Sequence, residues 1–280
     1  MRLFLLFFCT LVALRCSAAP LKIVAAENFY GTVAQEIAGS AATVVSIMSN
    51  PNQDPHEFQS DAITAKAIAD ADIIIYNGLG YDTWMEKLLS VPGKKERLVI
   101  NVADLVHAKK GANPHLWYDP KTMPALTARL AEVLKRPEAN VAFLESMKPL
   151  REKIVTLRTK TEGMKVTATE PVFGYMALAL GFEMLNEEYQ WAIMNDTTPT
   201  FQQTVAMEKS LSTKTARLLF SNSQASNAAT VRLLTIADQA GTPIINITET
   251  EPPADKSYVA WMLSELEKID LALKTTSLSH

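Results

Sequence analysis

The sequence predicts an α/β protein of two similar lobes, each a mostly parallel sheet flanked by helices, joined by one long linking helix. Three observations carry that expectation. Short β-branched runs alternate with helical stretches from Pro20 to about Val102, the same rhythm resumes after about Lys165, and the stretch between is charged and amphipathic. Alternation of this kind calls for parallel strands returned by crossover helices. A chain of 280 residues is long enough for two cores at roughly 100–200 residues per domain.

In the first lobe, residues 20–137, a strand is expected over 21–25 and a helix over 29–37 closed by Gly39. A second strand over 42–48 is rich in β-branched residues, and Asp61 is placed to cap a helix over 62–69. The run Asp72-Ile-Ile-Ile-Tyr76 reads as a strand buried on both faces and ending at Asn77-Gly78. A helix over 82–89 and a strand over 97–101 follow. The linker, residues 138–163, carries Val141, Leu144, Met147, Leu150, Ile154 and Leu157 at helical spacing, with Pro149 as the point of a kink. At 1.5 Å per residue, roughly 24 residues span ~36 Å, enough to run from lobe to lobe as a joint stiffer than a loop. In the second lobe, residues 164–280, strands are expected over 165–168, 182–185, 216–220 and 243–247. Helices are expected over 172–180, 201–211, 225–239 and 258–268.

Residues 1–19 have the pattern of a secretory signal peptide. Met1-Arg2 precedes an apolar run from Leu3 to Leu14 broken only by Thr10, and Ser17-Ala18-Ala19 supplies small residues for cleavage. The run is short of the ~20 residues that span a bilayer. Arg15 before Cys16 argues against a lipid anchor. Both cysteines, Cys9 and Cys16, fall in this segment, so the processed chain is expected to have no disulfide, no thiol nucleophile and no thiolate metal site. Cleavage removes Arg2 and Arg15 and leaves 25 basic against 30 acidic residues. A mildly acidic exported protein suits small ligands or cations, and nothing in the charge invites nucleic acid.

Ligands of open α/β sheets sit on loops beyond the carboxyl ends of the strands. The chain has four histidines, and two of them share a setting: His56 in Asp54-Pro-His-Glu-Phe58 and His115 in Asn113-Pro-His-Leu-Trp117. A lone loop histidine is usually a surface or capping residue, but a repeated Pro-His in loops marks both as candidate ligands. His107 and His280 lack that setting and read as solvated. In the second lobe Glu170 leaves the strand over 165–168 just before a helix, where a carboxylate is either a favourable N-terminal charge or a site residue. Glu249 and Glu251 lie in the proline-stiffened loop after the strand over 243–247. Two imidazoles and two carboxylates in one cleft would bind a divalent cation through nitrogen and oxygen.

With these residues in view, the sequence resembles the substrate-binding proteins of zinc and manganese ABC transporters, the cluster A-I metal-binding family. The resemblance covers essentially the whole mature chain. It rests on Ala25-Ala-Glu-Asn-Phe29-Tyr, the two Pro-His loops with their flanks, Ala71-Asp-Ile-Ile-Ile-Tyr76-Asn-Gly78 with Trp84, Phe173-Gly-Tyr175, and Thr248-Glu249 through Pro252-Pro253 to Tyr258 and Trp261-Met262. It implies metal ligands at His56, His115, Glu170 and Glu249, with Glu251 a second candidate because the family normally has Asp at the fourth position. The chain departs from zinc-type members in having no His-rich loop between Tyr81 and His115, and Asn113 stands where Asp often precedes Pro-His.

The resemblance implies an extracytoplasmic, monomeric solute-binding protein that captures Zn2+ or Mn2+ between its lobes and delivers it to the membrane permease of an ABC importer. Two carboxylates against one dication leave the site neutral, as a buried cleft requires. Oxygen donors favour manganese by geometry, whereas intrinsic affinity favours zinc. Two rivals stay open: a secreted metal-dependent enzyme with Glu57 or Glu251 as general base, and an adhesin with a vestigial cleft. The enzyme is disfavoured because the chain has no His-Glu-x-x-His motif.

Overall fold

A computed structural model describes residues 19–50, 58–90, 92–225, 227–253, 255 and 257–277. The signal-peptide segment up to residue 18, the loop holding His56 and Glu57, and His280 lie outside the described residues. The first lobe contains β1 (Leu21–Glu27), β2 (Ala42–Met48), β3 (Ile73–Tyr76) and β4 (Leu98–Asn101). They form one parallel sheet in the order β2-β1-β3-β4, with Leu21 opposite Ala42, Ile23 opposite Ile73 and Ile73 opposite Leu98. The second lobe repeats that order with β5 (Lys165–Ala168), β6 (Glu183–Met184), β7 (Leu219–Asn222) and β8 (Ile244–Ile247), arranged β6-β5-β7-β8 and again parallel. In each sheet the chain reverses its direction of winding between the first and third strands. The crevice that binds ligands in such sheets opens beyond the ends of those two strands.

The helices are α1 (Asn28–Ala38), α2 (Ala62–Asp70), α3 (Thr83–Leu89), α4 (Val102–Leu105), α5 (Thr122–Leu134), α6 (Pro137–Ser146), α7 (Lys148–Thr161), α8 (Gly174–Ala179), α9 (Glu187–Met194), α10 (Phe201–Ser212), α11 (Ala228–Ala240) and α12 (Tyr258–Ser277). Asp61 caps α2 through the Thr64 amide, as its position predicted. The linking segment runs as two helices broken at Met147, where one continuous helix with a kink was expected. The break has a local cause: Pro149 has no N–H to give the carbonyl of Glu145, and its ring crowds that carbonyl. Three helices are missing from the sequence reading, α4, α5 and α9; α4 and α9 are short, whereas α5 carries Met123, Leu126, Thr127 and Leu130 at helical spacing and was overlooked. Of these, α5 packs on α1.

Alternate residues of β1 and β3 serve different cores. Ile23, Ala25, Ile73 and Ile75 face one cluster, while Val24, Ala26 and Ile74 face another with Met48, Ile68 and Trp84. The inner cluster is continuous from Ile23 through Trp117 and Phe173 to Trp261 and Ile269, so the two lobes share one core. Separate cores, one per lobe, were expected. The difference arises from aromatic side chains at the seam: Phe29 stacks on Trp117 at 4.5 Å, Tyr118 meets Phe173 at 5.2 Å and Trp261 at 5.6 Å, and Phe173 meets Phe220 at 4.8 Å.

Candidate metal centre

The second lobe supplies two carboxylates from one sheet edge. Glu170 follows β5 and Glu249 follows β8, and between them in the sheet stands β7, whose last residue is Asn222. The Asn222 side-chain amide donates to Glu170 Oε2 and to Glu249 Oε2, both at 2.8 Å. All three residues are buried. Asn222 is itself fixed, because its Oδ1 accepts from the Gln224 amide at 3.0 Å and its backbone N–H donates to Thr169 Oγ1 at 3.1 Å. Gln224 Oε1 then receives the backbone N–H groups of Glu249 and Thr250 at 2.5 and 2.9 Å, which sets the direction of the Glu249 loop. A single amide thus holds two like-charged groups side by side, an arrangement that a cation would complete.

The first lobe supplies His115, fully buried, from the loop between α4 and α5. Its ring lies against Trp117 at 5.2 Å and Tyr81 at 6.0 Å, both edge to face. Asn113 fixes its orientation. Asn113 Oδ1 accepts the backbone N–H of His115 at 3.0 Å and lies 2.7 Å from His115 Nδ1, while Asn113 Nδ2 donates to the carbonyl of Pro171 at 2.6 Å. The amide N is committed to a carbonyl, so Oδ1 is the acceptor and Nδ1 carries the proton. In the neutral ring Nε2 then presents a lone pair, and it faces Glu249 Oε1 at 3.3 Å. An imidazole nitrogen facing a carboxylate in a buried site is a pairing that a metal ion could use, and Asn113 fixes the ring that carries it.

Glu251 lies elsewhere. Its carboxyl is against Thr32 of α1, where burial pushes its pKa up to about 7. Its backbone N–H and carbonyl pair with the Asn28 side chain at 3.2 and 2.7 Å. His107 is exposed, at a left-handed turn with φ 54°. Among the described residues, no three His, Cys, Asp or Glu side chains converge into a group that could hold an ion by themselves. His115 and Glu249 are in contact, and Glu170 is joined to Glu249 through Asn222. Sequence reasoning missed Asn222, Gln224 and Tyr81. The available signal was position, because Asn222 and Gln224 sit at and just past the carboxyl end of a central strand that was expected to stop at residue 220.

Two parallel-sheet lobes with the same strand order, and a buried imidazole of one facing a carboxylate of the other, define a two-lobed binding protein. The chain belongs to the family described as zinc-uptake complex component A, periplasmic, whose model matches residues 23–272. It is 28% identical over 295 residues to the metal ABC transporter substrate-binding lipoprotein SloC of Streptococcus mutans, covering 94% of this chain and 93% of that protein. It is 24% identical over 304 residues to the manganese ABC transporter substrate-binding lipoprotein PsaA of Streptococcus mitis, covering 95% and 96%. Its fold is similar to that of the periplasmic zinc-binding protein TroA of Treponema pallidum. That similarity has a TM-score of 0.75 at 18% identity, over 91% of this chain and 99% of the other.

Proposed function

We propose that this protein is the exported solute-binding component of an ABC importer for a divalent transition metal, zinc or manganese. His115, Glu170 and Glu249 are its ligands among the described residues, and His56 is the fourth. The observation that carries the reading is His115 Nε2 facing the Glu249 carboxylate at 3.3 Å in a site closed to solvent. Family membership supports it, as do relatives named for manganese and a structural neighbour named for zinc. The site would draw on both lobes, 20–137 and 164–280, joined through 138–163, and all four ligands would come from one chain, consistent with a monomer.

The ion is cargo, so tight binding without turnover is what the geometry asks for. An enzyme would need a general base beside the ion. Glu251, one candidate for that role, turns instead toward α1. No described helix is long and apolar enough to cross a membrane, so delivery would require the separate permease. The test is titration of purified protein with zinc and with manganese, against a chromophoric chelator, for wild type and His115→Ala. The substitution is expected to weaken binding at least 100-fold while leaving the circular dichroism spectrum unchanged, since a ligating nitrogen is lost outright. Wild-type affinity in His115→Ala, or turnover of a metal-dependent substrate by the loaded protein, would overturn the proposal.

A further inference from the structure

Helix α12 carries a buried acid that the proposed ligand set does not use. Glu265 is 1% exposed and lies on the face of α12 turned to the end of β8. Its Oε2 accepts from Lys268 Nζ at 2.8 Å, and the same ammonium donates to the Asn246 carbonyl of β8 at 2.9 Å. Its Oε1 accepts from three donors, the Thr248 N–H at 3.3 Å, the Thr248 hydroxyl at 3.0 Å and the Trp261 indole N–H at 3.3 Å. The indole N–H is shared with Thr248 Oγ1 at 2.8 Å, so the hydroxyl accepts from Trp261 while it donates to Glu265. A buried ion pair contributes little net stability compared with apolar side chains of the same volume. What Glu265 supplies is direction, and every donor on its Oε1 belongs to Thr248 or to the ring that braces it.

Thr248 is the residue directly ahead of Glu249 and the first past β8, whose pairing with β7 ends at Ile247. Its carbonyl is held from the other lobe, accepting from the Tyr118 hydroxyl at 2.6 Å. Tyr118 closes the 3-10 turn Leu116–Tyr118, which starts at the residue after His115, and its N–H returns to the His115 carbonyl at 3.2 Å. On the far side, Gln224 takes the N–H groups of Glu249 and Thr250. Thr248 is therefore hydrogen-bonded to the turn that carries His115 and covalently joined to Glu249.

We propose that Thr248 and Glu265 are positioning residues for metal capture: Glu265 anchors Thr248 to α12, Thr248 ties the Glu249 loop to the His115 turn, and the pair sets the gap between His115 Nε2 and Glu249 Oε1. This rests on the reading of His115 and Glu249 as ligands. An ion entering that gap meets both donors at a separation set before it arrives, and it does not have to order them itself. Loss of the Thr248 hydroxyl frees the loop on the side of Glu249 that faces the first lobe, while Gln224 still holds the other side.

The experiment uses full-length mature protein with two probes: zinc, for affinity by competition titration, and cobalt(II), whose d–d absorption bands report the arrangement of its ligands. Thr248→Val keeps the shape and removes the hydroxyl, and Glu265→Gln keeps an acceptor but gives up the charge. Each should weaken zinc binding about 10-fold, the lower end of the range for groups that act behind a ligand, and should move the cobalt bands. Thr248→Ser keeps the hydroxyl and should recover both readouts. Asp270→Ala removes ion pairs farther along the same helix, so it should lower Tm and leave affinity and bands unchanged. Wild-type affinity and bands in Thr248→Val overturn the inference, as does an equal loss in Thr248→Ser. A loss in Asp270→Ala as large as in Thr248→Val also overturns it, since any weakening of α12 would then suffice. Should Glu265→Gln fail to fold, the two Thr248 variants decide. Loss of zinc binding in His115→Ala with none in Thr248→Val refutes only the positioning role, whereas wild-type binding in His115→Ala refutes the ligand reading.

Discussion

Asn222→Ala removes the amide that both second-lobe carboxylates share, and the geometry fixes what that should cost. Asn222 contacts Oε2 of Glu170 and Oε2 of Glu249, whereas Oε1 of Glu249 is the atom turned to His115. On the proposed ligand set the ion would use Glu249 Oε1 and the amide the two Oε2 atoms, so the amide bonds would persist in both metal-free and loaded protein. Each is a hydrogen bond to a charged group, of about 1.5–3 kcal/mol. Because the loss falls on both states, affinity is lowered only through the freedom the carboxylates gain to turn away. For an outer-shell residue that is about 10- to 100-fold, or about 1.4–2.8 kcal/mol. The metal-free chain also loses two such bonds, about 3–6 kcal/mol, or roughly 6–24 °C of Tm at about 2–4 °C per kcal/mol for a chain of this class. Competition titration with zinc and a thermal scan measure the two effects. Wild-type affinity together with wild-type Tm would mean that Asn222 does not hold the two carboxylates, and Glu170 would then lose its connection to the site.

Gly174→Ala places a methyl 2.8 Å from Asn113 Nδ2 at a helical position with no strained φ. Tm should hold or rise while zinc affinity falls; unchanged affinity would mean that Asn113 can shift without moving His115. Glu170→His exchanges an oxygen donor and a charge for nitrogen, so the zinc-to-manganese affinity ratio should rise in paired titrations, and an unchanged ratio removes Glu170 from the ligand set. Asp270 joins α12 to α7 through Lys160 at 2.8 Å and Lys153 at 3.1 Å, with Lys274 at 3.2 Å, and these cations hold its carboxyl well below the usual range. A lowered folded-state value gives stability that is present above the unfolded value near 3.9 and lost as pH falls below it. Asp270→Ala should therefore lower Tm at neutral pH and flatten its acid dependence, and an equal loss at all pH would contradict the pairing. X-ray scattering curves of metal-free and zinc-loaded protein should superimpose.

The strands were legible from their short apolar, β-branched runs. The 42–48 and 165–168 strands have the expected bounds, and Asp72-Ile-Ile-Ile-Tyr76 needs only Asp72 trimmed. The helices α1, α10 and α12 were legible from apolar residues at helical spacing, although α12 extends nine residues past the expected end at Lys268. Within the candidate site, His115, Glu170 and Glu249 could be singled out as candidates because His115 shares the Pro-His setting of His56 and the two acids lie in loops just after strands. His56, chosen on the same grounds, lies outside the described residues. What could not be read was the set of neutral amides that aim them. Asn113, Asn222 and Gln224 act through bonds to partners between 2 and 58 residues away, and an Asn or Gln in a loop is indistinguishable from a turn residue until those partners are placed. The shared core was hidden likewise, since nothing local to Phe29, Trp117 or Trp261 shows that the three rings meet.

That shared core bears on how metal would be captured. Wide opening about a hinge needs a seam that can be wetted at small cost, as between domains with polar interfaces. Here the seam is Phe29, Trp117, Tyr118, Phe173 and Trp261 in ring contact. Beneath them run cross-lobe hydrogen bonds from the Tyr118 hydroxyl to the Thr248 carbonyl at 2.6 Å and from the Tyr258 hydroxyl to the Trp117 carbonyl at 2.8 Å. Separating the lobes would expose several aromatic side chains of 150–250 Å² each, and at about 25 cal/mol per Å² the cost exceeds ~10 kcal/mol before the hydrogen bonds are counted. Exchange of an ion would have to come from the loops that carry the ligands, and the turn 77–82, with three left-handed residues held by Asp82, is the first-lobe element built to resist such movement. A scattering change on zinc binding as large as that of a hinge-closing protein would show that this seam opens, and that the aromatic contacts contribute far less than their area implies.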